Sequence, residues 1–453
     1  MVRAKINLPG VITVSIFLFS VLFVPVFAQE IVIFHINDSH GHFAPIIKDK
    51  KSIYGLARMA AELKSLRKKK PGRVLFIHAG DSFSRADPVG IYSKGAFNIQ
   101  IYNRLGLDVF LPGNGEFYFT LNNLKSRLKA AQFSVLGANI LERKNKQRFL
   151  LPYIVKQSSG RKIGILGLTF VHTHVPSGYE IILQEPIAVA RKFIRKIRAD
   201  VDYLILLSHL GLKQDKKLVS DTGGIDLVIG GHSHDSLEKP LWLRNNRNRK
   251  IPVVQAGKYF QSYGRIALNF SGEKMVGFQY RLVKLDENIP VDQETEDFLL
   301  QEQKVVSRVL GQSRWNFDRK KTIRFVLKMI KDYSKAAVCI IDRTAIRADI
   351  KKGRFNIAAI CRLHPWRNRI FVSMLSASDL KKALQQKNLH FLGFSELLSR
   401  VIPDGRKKAE DKILVAYPEY VHAYLPFLKN RPYRILEKDL HELLLKYLPV
   451  YLH

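Results

Sequence analysis

In IVIFHINDSHGH, residues 31–42, a short β-branched apolar run passes directly into a loop that carries Asp38, His40 and His42. A run of that length, bounded by small polar residues, predicts a buried strand, and a strand that delivers an acid and an imidazole at its end predicts a loop with chemistry. The same pattern returns in RVLFIHAGD (73–81), DVFLPGN (108–114), VDYLILLSHLG (201–211), IDLVIGGHSH (225–234) and IPVVQAG (251–257). Stretches of helical period lie between several of these runs, at residues 53–69, 122–131 and 187–198. Strands alternating with helices predict an α/β layered fold. Residues 263–285, YGRIALNFSGEKMVGFQYRLVKL, are two alternating runs about Ser271-Gly272 and predict a hairpin. The acidic stretch 292–310 then predicts a connecting helix, and beyond about Lys321 a second, basic α/β segment runs to the end.

The predicted strand ends supply Asp38, His40, Asp81, Asn114, His209, His232 and His234. Carboxylate and amide oxygens mixed with imidazoles suit divalent first-row ions such as Mn, Fe, Co or Zn. A single strand-end Asp or His more often caps a turn. Seven of them, each at the end of a predicted strand, are not explained in that way.

Composition sets the outer bounds. The chain has 453 residues, 46% of them hydrophobic, enough for two or three packed domains. Residues 1–28 combine a basic start at Arg3 and Lys5, an apolar run from about Val11 to Val24, and small-residue spacing at Val26 and Ala28. They read as a signal peptide cleaved after Ala28, for export by the general route to the periplasm or the exterior; a retained N-terminal anchor is the alternative. No Cys follows the apolar run, so no lipid anchor is expected, nor any other stable membrane anchor. Cys339 and Cys361, the two cysteines, are too few for a disulfide framework, and pairing and free thiols both stay open. The formal charge of +35 favours anionic partners, but its basic residues are dispersed in short clusters without a nucleic-acid module. A solvated basic surface with an anionic small-molecule substrate is expected, and no specific nucleic acid.

The ordered motifs resemble those of the secreted 5′-nucleotidase family of calcineurin-like metallophosphoesterases. That signature runs D-x-H-G, G-D, G-N-H-E-F-D, S-H and G-H-x-H. It is met here by Asp38-Ser39-His40-Gly41, Gly80-Asp81, Gly113-Asn114-Gly115-Glu116-Phe117-Tyr118, Ser208-His209 and Gly231-His232-Ser233-His234. CIIDRTAIRADI (339–350), RLHPWRNRIFV (362–372) and LSASDLKKAL (375–384) are similar to strings of the family's C-terminal domain. The resemblance implies a four-layer α/β/β/α metallophosphoesterase domain over residues 29–288, a linking helix within 289–325, and a divergent, smaller α/β C-terminal domain over 326–453. It also implies two divalent metal ions, one held by Asp38, His40 and His234 and the other by Asn114, His209 and His232, with Asp81 bridging. Such a pair activates a water for attack on a phosphoester, so no protein nucleophile is needed. Arg347 matches the arginine that contacts the nucleotide.

Two departures from the family pattern stand out. In GNGEFYF, residues 113–119, Gly115 replaces the family's phosphoryl-contacting His and Tyr118 replaces the Asp that orients it. Losing such a group costs about 10²–10³ in rate. Three readings stay open: substitution by a neighbour such as His42, Arg85 or Tyr118; a substrate that needs no such help, for instance an activated anhydride or a thiosulfate ester; or an impaired homologue that binds. In the second half, Arg343-Thr344-Ala345 stands where the family has glycines that admit the ligand. Phe391, Phe394, Tyr424 and Phe427 lie in the region of the family's base-stacking aromatics, but core packing is their simpler reading. His78, His172 and His174 are assigned no role, and the glycines of GILGLTF (164–170) do not make a dinucleotide fingerprint.

Overall fold

The computed structural model describes residues 29–452, apart from 45, 49–50, 54, 85–86, 173–179, 273, 394–411 and 429–430. The expected signal peptide, with its alternative as an anchor, lies outside the described residues, as do Arg85, His174 and Phe394. Among the described residues no helix is long and apolar enough to cross a membrane.

Strand Gln29–Ile36 shows how the sequence builds the layers. Successive side chains of a strand point to opposite faces. Ile31 and Ile33 enter one hydrophobic cluster, and Val32, Phe34 and Ile36 enter another. The first is the seam between two six-stranded sheets, where these residues meet Ile163, Ile165, Ile205 and Leu207. The second packs the outer face of the first sheet under helix Leu56–Lys69, through Leu56, Met59 and Leu63. Leu204, Leu206 and Val228 cover the outer face of the second sheet and meet Val189, Phe193 and Leu218 of helices Pro186–Ile197 and Leu212–Asp221. The result is an α/β layered fold, as the alternation predicts, in the four-layer α/β/β/α form that the family resemblance implies.

In the first sheet the strands run in the order Lys274–Lys284, Ser262–Ser271, Gln29–Ile36, Val74–His78, Val109–Phe110, Ser134–Val135. The first pair is the predicted hairpin about Gly272, and from Gln29–Ile36 onward the pairing is parallel. In the second sheet Arg161–Thr169, Tyr203–His209, Leu227–Ile229 and Lys250–Val254 are parallel neighbours. Parallel strands deliver their loops at one edge, and this is what gathers the predicted ligands.

The acidic stretch forms helix Gln293–Ser307, N-capped by Asp292. Beyond it a five-stranded mixed sheet is covered on both faces. Cys339, Ile341 and Val372 face helices Arg319–Ser334 and Leu440–Tyr451, while Val338, Ile340 and Phe371 face helix Ala377–Leu384. The two halves share a core, because Ile357, Ala358 and Cys361 pack in the same cluster as Leu299, Val306 and Phe97. Cys339 and Cys361 are buried free thiols in different clusters.

Candidate metal centre

Asp38 and His40 follow strand Gln29–Ile36, Asp81 follows Val74–His78, and Asn114 follows Val109–Phe110. His209 ends Tyr203–His209, and His232 and His234 follow Leu227–Ile229. The loops are braced on each other by Asp38 N–H to Gly80 O (2.8 Å), His40 N–H to Asp81 O (2.9 Å) and Tyr259 N–H to Asp38 O (3.0 Å). Asp38, His40, Asp81, His232 and His234 all have left-handed backbone, with φ of 48°, 46°, 59°, 78° and 62°. Side-chain-bearing residues pay about 1 kcal/mol or more for that conformation, and its concentration at one place marks a functional site.

Two groups of ligand atoms result. In one, His40 Nε2 lies 3.2 Å from His234 Nε2, and both face Asp38 Oδ1, at 3.8 and 3.4 Å. In the other, His209 Nε2 lies 3.3 Å from Asp81 Oδ1, with His232 close by, and His232 Nδ1 is 2.9 Å from Asn114 Oδ1. Asp81 joins the groups, since its Oδ2 is 3.6 Å from His40 Nε2. The sequence-derived ligands therefore converge.

The polar atoms fit cations. Asp38 Oδ2 is occupied by Asn37 Nδ2 (2.7 Å) and His232 N–H (2.9 Å), whereas buried Oδ1 has no hydrogen-bond partner among the described residues. His209 Nδ1 is held by Ala79 O at 2.7 Å, which leaves buried Nε2 as the inward-facing nitrogen, also without a hydrogen bond. Imidazole nitrogens 3.2 Å apart share at most one proton, and atoms separated by 2.9–3.8 Å match ligands around an ion bound at about 2.0–2.2 Å. Burial lowers the pKa of His40 and pushes His232 down to about 4, which favours the neutral ligand form. Burial also opposes charge on His209, but the Asp81 carboxylate overrides it and raises that imidazole to about 10. Metal binding there must displace a proton. The cradle is built on backbone: a Cβ at Gly113 would lie 2.3 Å from Asp81 Oδ1 and 2.5 Å from His209 Nε2.

Glu116 is a residue whose role the sequence reading missed. Fully buried, it accepts backbone N–H groups of Ser82 (2.7 Å), Phe83 (2.8 Å), Gly113 (2.7 Å) and Asp81 (3.1 Å), and so ties the Asp81 loop to the Asn114 loop. Burial and the Asp81 charge raise its pKa, and those N–H donors oppose the shift by stabilising the carboxylate. Tyr259 was also missed: its ring lies 5.7 Å from that of His40, 6.1 Å from His234 and 4.2 Å from His42. Its φ of 59°, followed by 49° at Phe260, is a conformation no local motif announces. His172, given no role above, sits with its ring 6.3 Å from that of His232.

His78 is a core residue, with Gly80 N–H on Nδ1 (3.0 Å) and Ser39 Oγ at Nε2 (3.2 Å). Arg347 is exposed, its guanidinium 5.0 Å from the ring centre of Trp366. Arg343–Ala345 form a short 3₁₀ turn capped by Asp342, none of them at positive φ. Phe391 and Phe427 pack against the core of the C-terminal half.

Residues 31–236 match the calcineurin-like phosphoesterase family. The chain is 24% identical over 414 residues to the trifunctional nucleotide phosphoesterase protein YfkN of Bacillus subtilis, covering 79% of this chain but only 27% of that protein's length. It is 24% identical to a snake venom 5′-nucleotidase of Gloydius brevicauda, over 90% of this chain and 80% of that one. Among solved structures, a 5′-nucleotidase precursor of Thermus thermophilus superposes with a TM-score of 0.64 at 21% identity, over 93% of this chain and 97% of that one. The sulfate thiohydrolase SoxB of the same organism superposes with a TM-score of 0.56 at 14% identity, over 93% and 94%.

Proposed function

Because the chain carries a calcineurin-like phosphoesterase domain and is a divergent relative of the 5′-nucleotidases, we propose that it is an exported metal-dependent hydrolase of phosphoesters, with nucleotides or related phosphate-bearing small molecules as substrates. The observation that carries this reading is the pair of ligand groups joined through Asp81, with Asp38 Oδ1 and His209 Nε2 buried and without hydrogen bonds among the described residues. Asp38, His40 and His234 would hold one divalent ion and Asn114, His209 and His232 the other, with Asp81 between. Ions held there would activate a water and neutralise phosphoryl oxygens.

The chain's own residues prepare that site. Ala79 O fixes the His209 tautomer, and Asn37 fixes the Asp38 rotamer by donating to Asp38 Oδ2 and Gly257 O. Glu116 fixes the spacing of the two loops. Tyr259 packs beside the His40 and His234 rings, at 65° and 59° to them, and so buttresses both imidazoles. At position 115 the backbone N–H donates to Asp81 Oδ1, so transition-state charge must be met by the ions and by groups other than an imidazole at that position. The net charge of +35 gathers anionic substrates at low salt.

The test is phosphate release by the purified chain with Mn²⁺, Co²⁺ or Zn²⁺, a panel of nucleotides and an aryl phosphate, beside Asp81→Asn and a metal-content measurement. Metal-dependent turnover that vanishes in Asp81→Asn is expected. A chain that holds two ions yet turns over none of the panel would point instead to an unlisted substrate, such as a thiosulfate ester, or to a binding role.

A further inference from the structure

We propose that Tyr118 is a positioning residue that turns the amide of Asn114 so that its oxygen, not its NH₂, faces the second ion; the inference rests on the two-ion reading above. An asparagine amide has two ends of nearly equal size, and only the oxygen can ligate a cation. An NH₂ group turned into the site would present two protons to the ion. A ligand amide therefore needs a partner that discriminates between its ends.

Tyr118 is placed to do this. Asn114 Nδ2 donates to Tyr118 Oη at 3.2 Å, while Asn114 Oδ1 points the other way, 2.9 Å from His232 Nδ1. The short 3₁₀ turn Gly115–Tyr118 follows Asn114 immediately and brings position 118 back to it. The phenol ring is anchored by packing against the cluster that holds Phe83, Phe117 and Phe119, so the hydroxyl is delivered at the end of a rigid lever. No other hydrogen bond to Asn114 Nδ2 is recorded among the described residues. Ligand-orienting partners of this kind are worth 10- to 100-fold in metal affinity.

Tyr118→Phe keeps the ring and removes only the oxygen. The full chain, stripped with EDTA, is titrated with Mn²⁺ by calorimetry, and the Mn²⁺ pair is followed by the exchange coupling in its electron paramagnetic resonance spectrum. Wild type is expected to take two ions with a coupled spectrum. Tyr118→Phe is expected to bind one ion as wild type does and the second about 10-fold more weakly, with the coupled signal lost at equal loading. In the Asn114→Ala background, where the ligand oxygen is already gone, adding Tyr118→Phe should change neither affinity, as a double-mutant cycle requires of a residue acting only through Asn114. Circular dichroism on each variant checks that it is folded before the affinities are compared. A Tyr118→Phe chain that binds both ions like wild type overturns the proposal, and so does an effect that persists without Asn114. A wild-type chain that takes fewer than two ions brings down the two-ion reading itself, and this inference with it.

Discussion

The backbone N–H of Gly115 donates to Asp81 Oδ1 at 2.6 Å, and that contact leaves no room for a side chain: an added Cβ would lie 2.7 Å from Phe83 O and 3.1 Å from Asp81 Oδ1. Replacement of the imidazole at this position is thus built into the packing of two loops and is more than an exchange of one side chain.

It follows that Gly115→His will not restore a lost catalytic group. The Phe83 carbonyl and the Asp81 carboxylate must both move, and overpacking of a rigid site costs about 1–3 kcal/mol. Urea unfolding should show that loss, and metal retention after dialysis should fall with it. A Gly115→His chain as stable as wild type and faster on any phosphoester would sink this account.

Glu116 makes a sharper prediction. Glutamine in its place leaves one acceptor oxygen and sets an NH₂ group against backbone N–H donors that now meet Oε1 or Oε2 at 2.7–3.1 Å. Unsatisfied buried donors around a former carboxylate should cost about 3 kcal/mol in urea unfolding. Metal affinity should fall as well, although Glu116 is no ligand, because the Asp81 and Asn114 loops lose their tie. An unfolding free energy within about 0.5 kcal/mol of wild type would show that the carboxylate is dispensable.

Much of this was legible in the sequence, for a physical reason. Strand residues such as Ile31 to Ile36 are buried on both faces, so they read as continuous apolar runs. Parallel strands then bring their ends together, so the strand-end residues Asp38, Asp81, Asn114, His209 and His232 could be listed before any coordinate existed. What stayed hidden depends on distances across the fold. Glu116 looks like one motif letter among others until its carboxylate is seen under four N–H groups from two loops. Gly115 looks like a missing histidine until the Phe83 carbonyl is seen beside it. Tyr259 and Phe260 give no local sign of positive φ, and the partnership of Arg347 with Trp366 joins residues on separate segments.

Buried histidines set the acid limit of stability. His35 is fully buried, neither ring nitrogen has a hydrogen bond among the described residues, and burial pushes its pKa to about 3. Burial likewise pushes His441 to about 3 and His364 to about 4. In the unfolded chain each titrates near 6.5, so between about pH 6.5 and 4 the unfolded state binds more protons and stability rises with pH. Above about pH 6.5 these contributions are complete. Each adds a slope of about 1.4 kcal/mol per pH unit inside the window. With metals removed by chelation, His35→Leu should flatten the urea-unfolding slope between pH 6 and pH 4.5 by that amount relative to wild type. Parallel slopes in the two proteins would show that His35 is not buried neutral.

Arg367 makes the last prediction, on how the halves are held. It sits at φ 49° and is buried, with Nε and Nη2 on Asp439 Oδ2 (3.1 and 3.0 Å), Nη2 also on Glu442 Oε1 (3.1 Å), and Nη1 reaching across to the carbonyls of Ile91 and Tyr92 (both 3.3 Å). Lys94 comes from the other side to the same carboxylates, 3.4 Å from Asp439 Oδ2 and 2.8 Å from Glu442 Oε1. Together with the cluster shared by Phe97, Leu299 and Cys361, this network should make the chain unfold as one unit. Removing one partner of a buried ionic network costs about 3–5 kcal/mol, because the other charge is left uncompensated. Arg367→Ala should therefore split a single calorimetric transition into two, the C-terminal half melting first, since Asp439 and Glu442 begin its last helix, Leu440–Tyr451. A single transition at the wild-type midpoint would mean that the apolar cluster alone joins the halves and that the Arg367 bridge adds nothing to their cohesion.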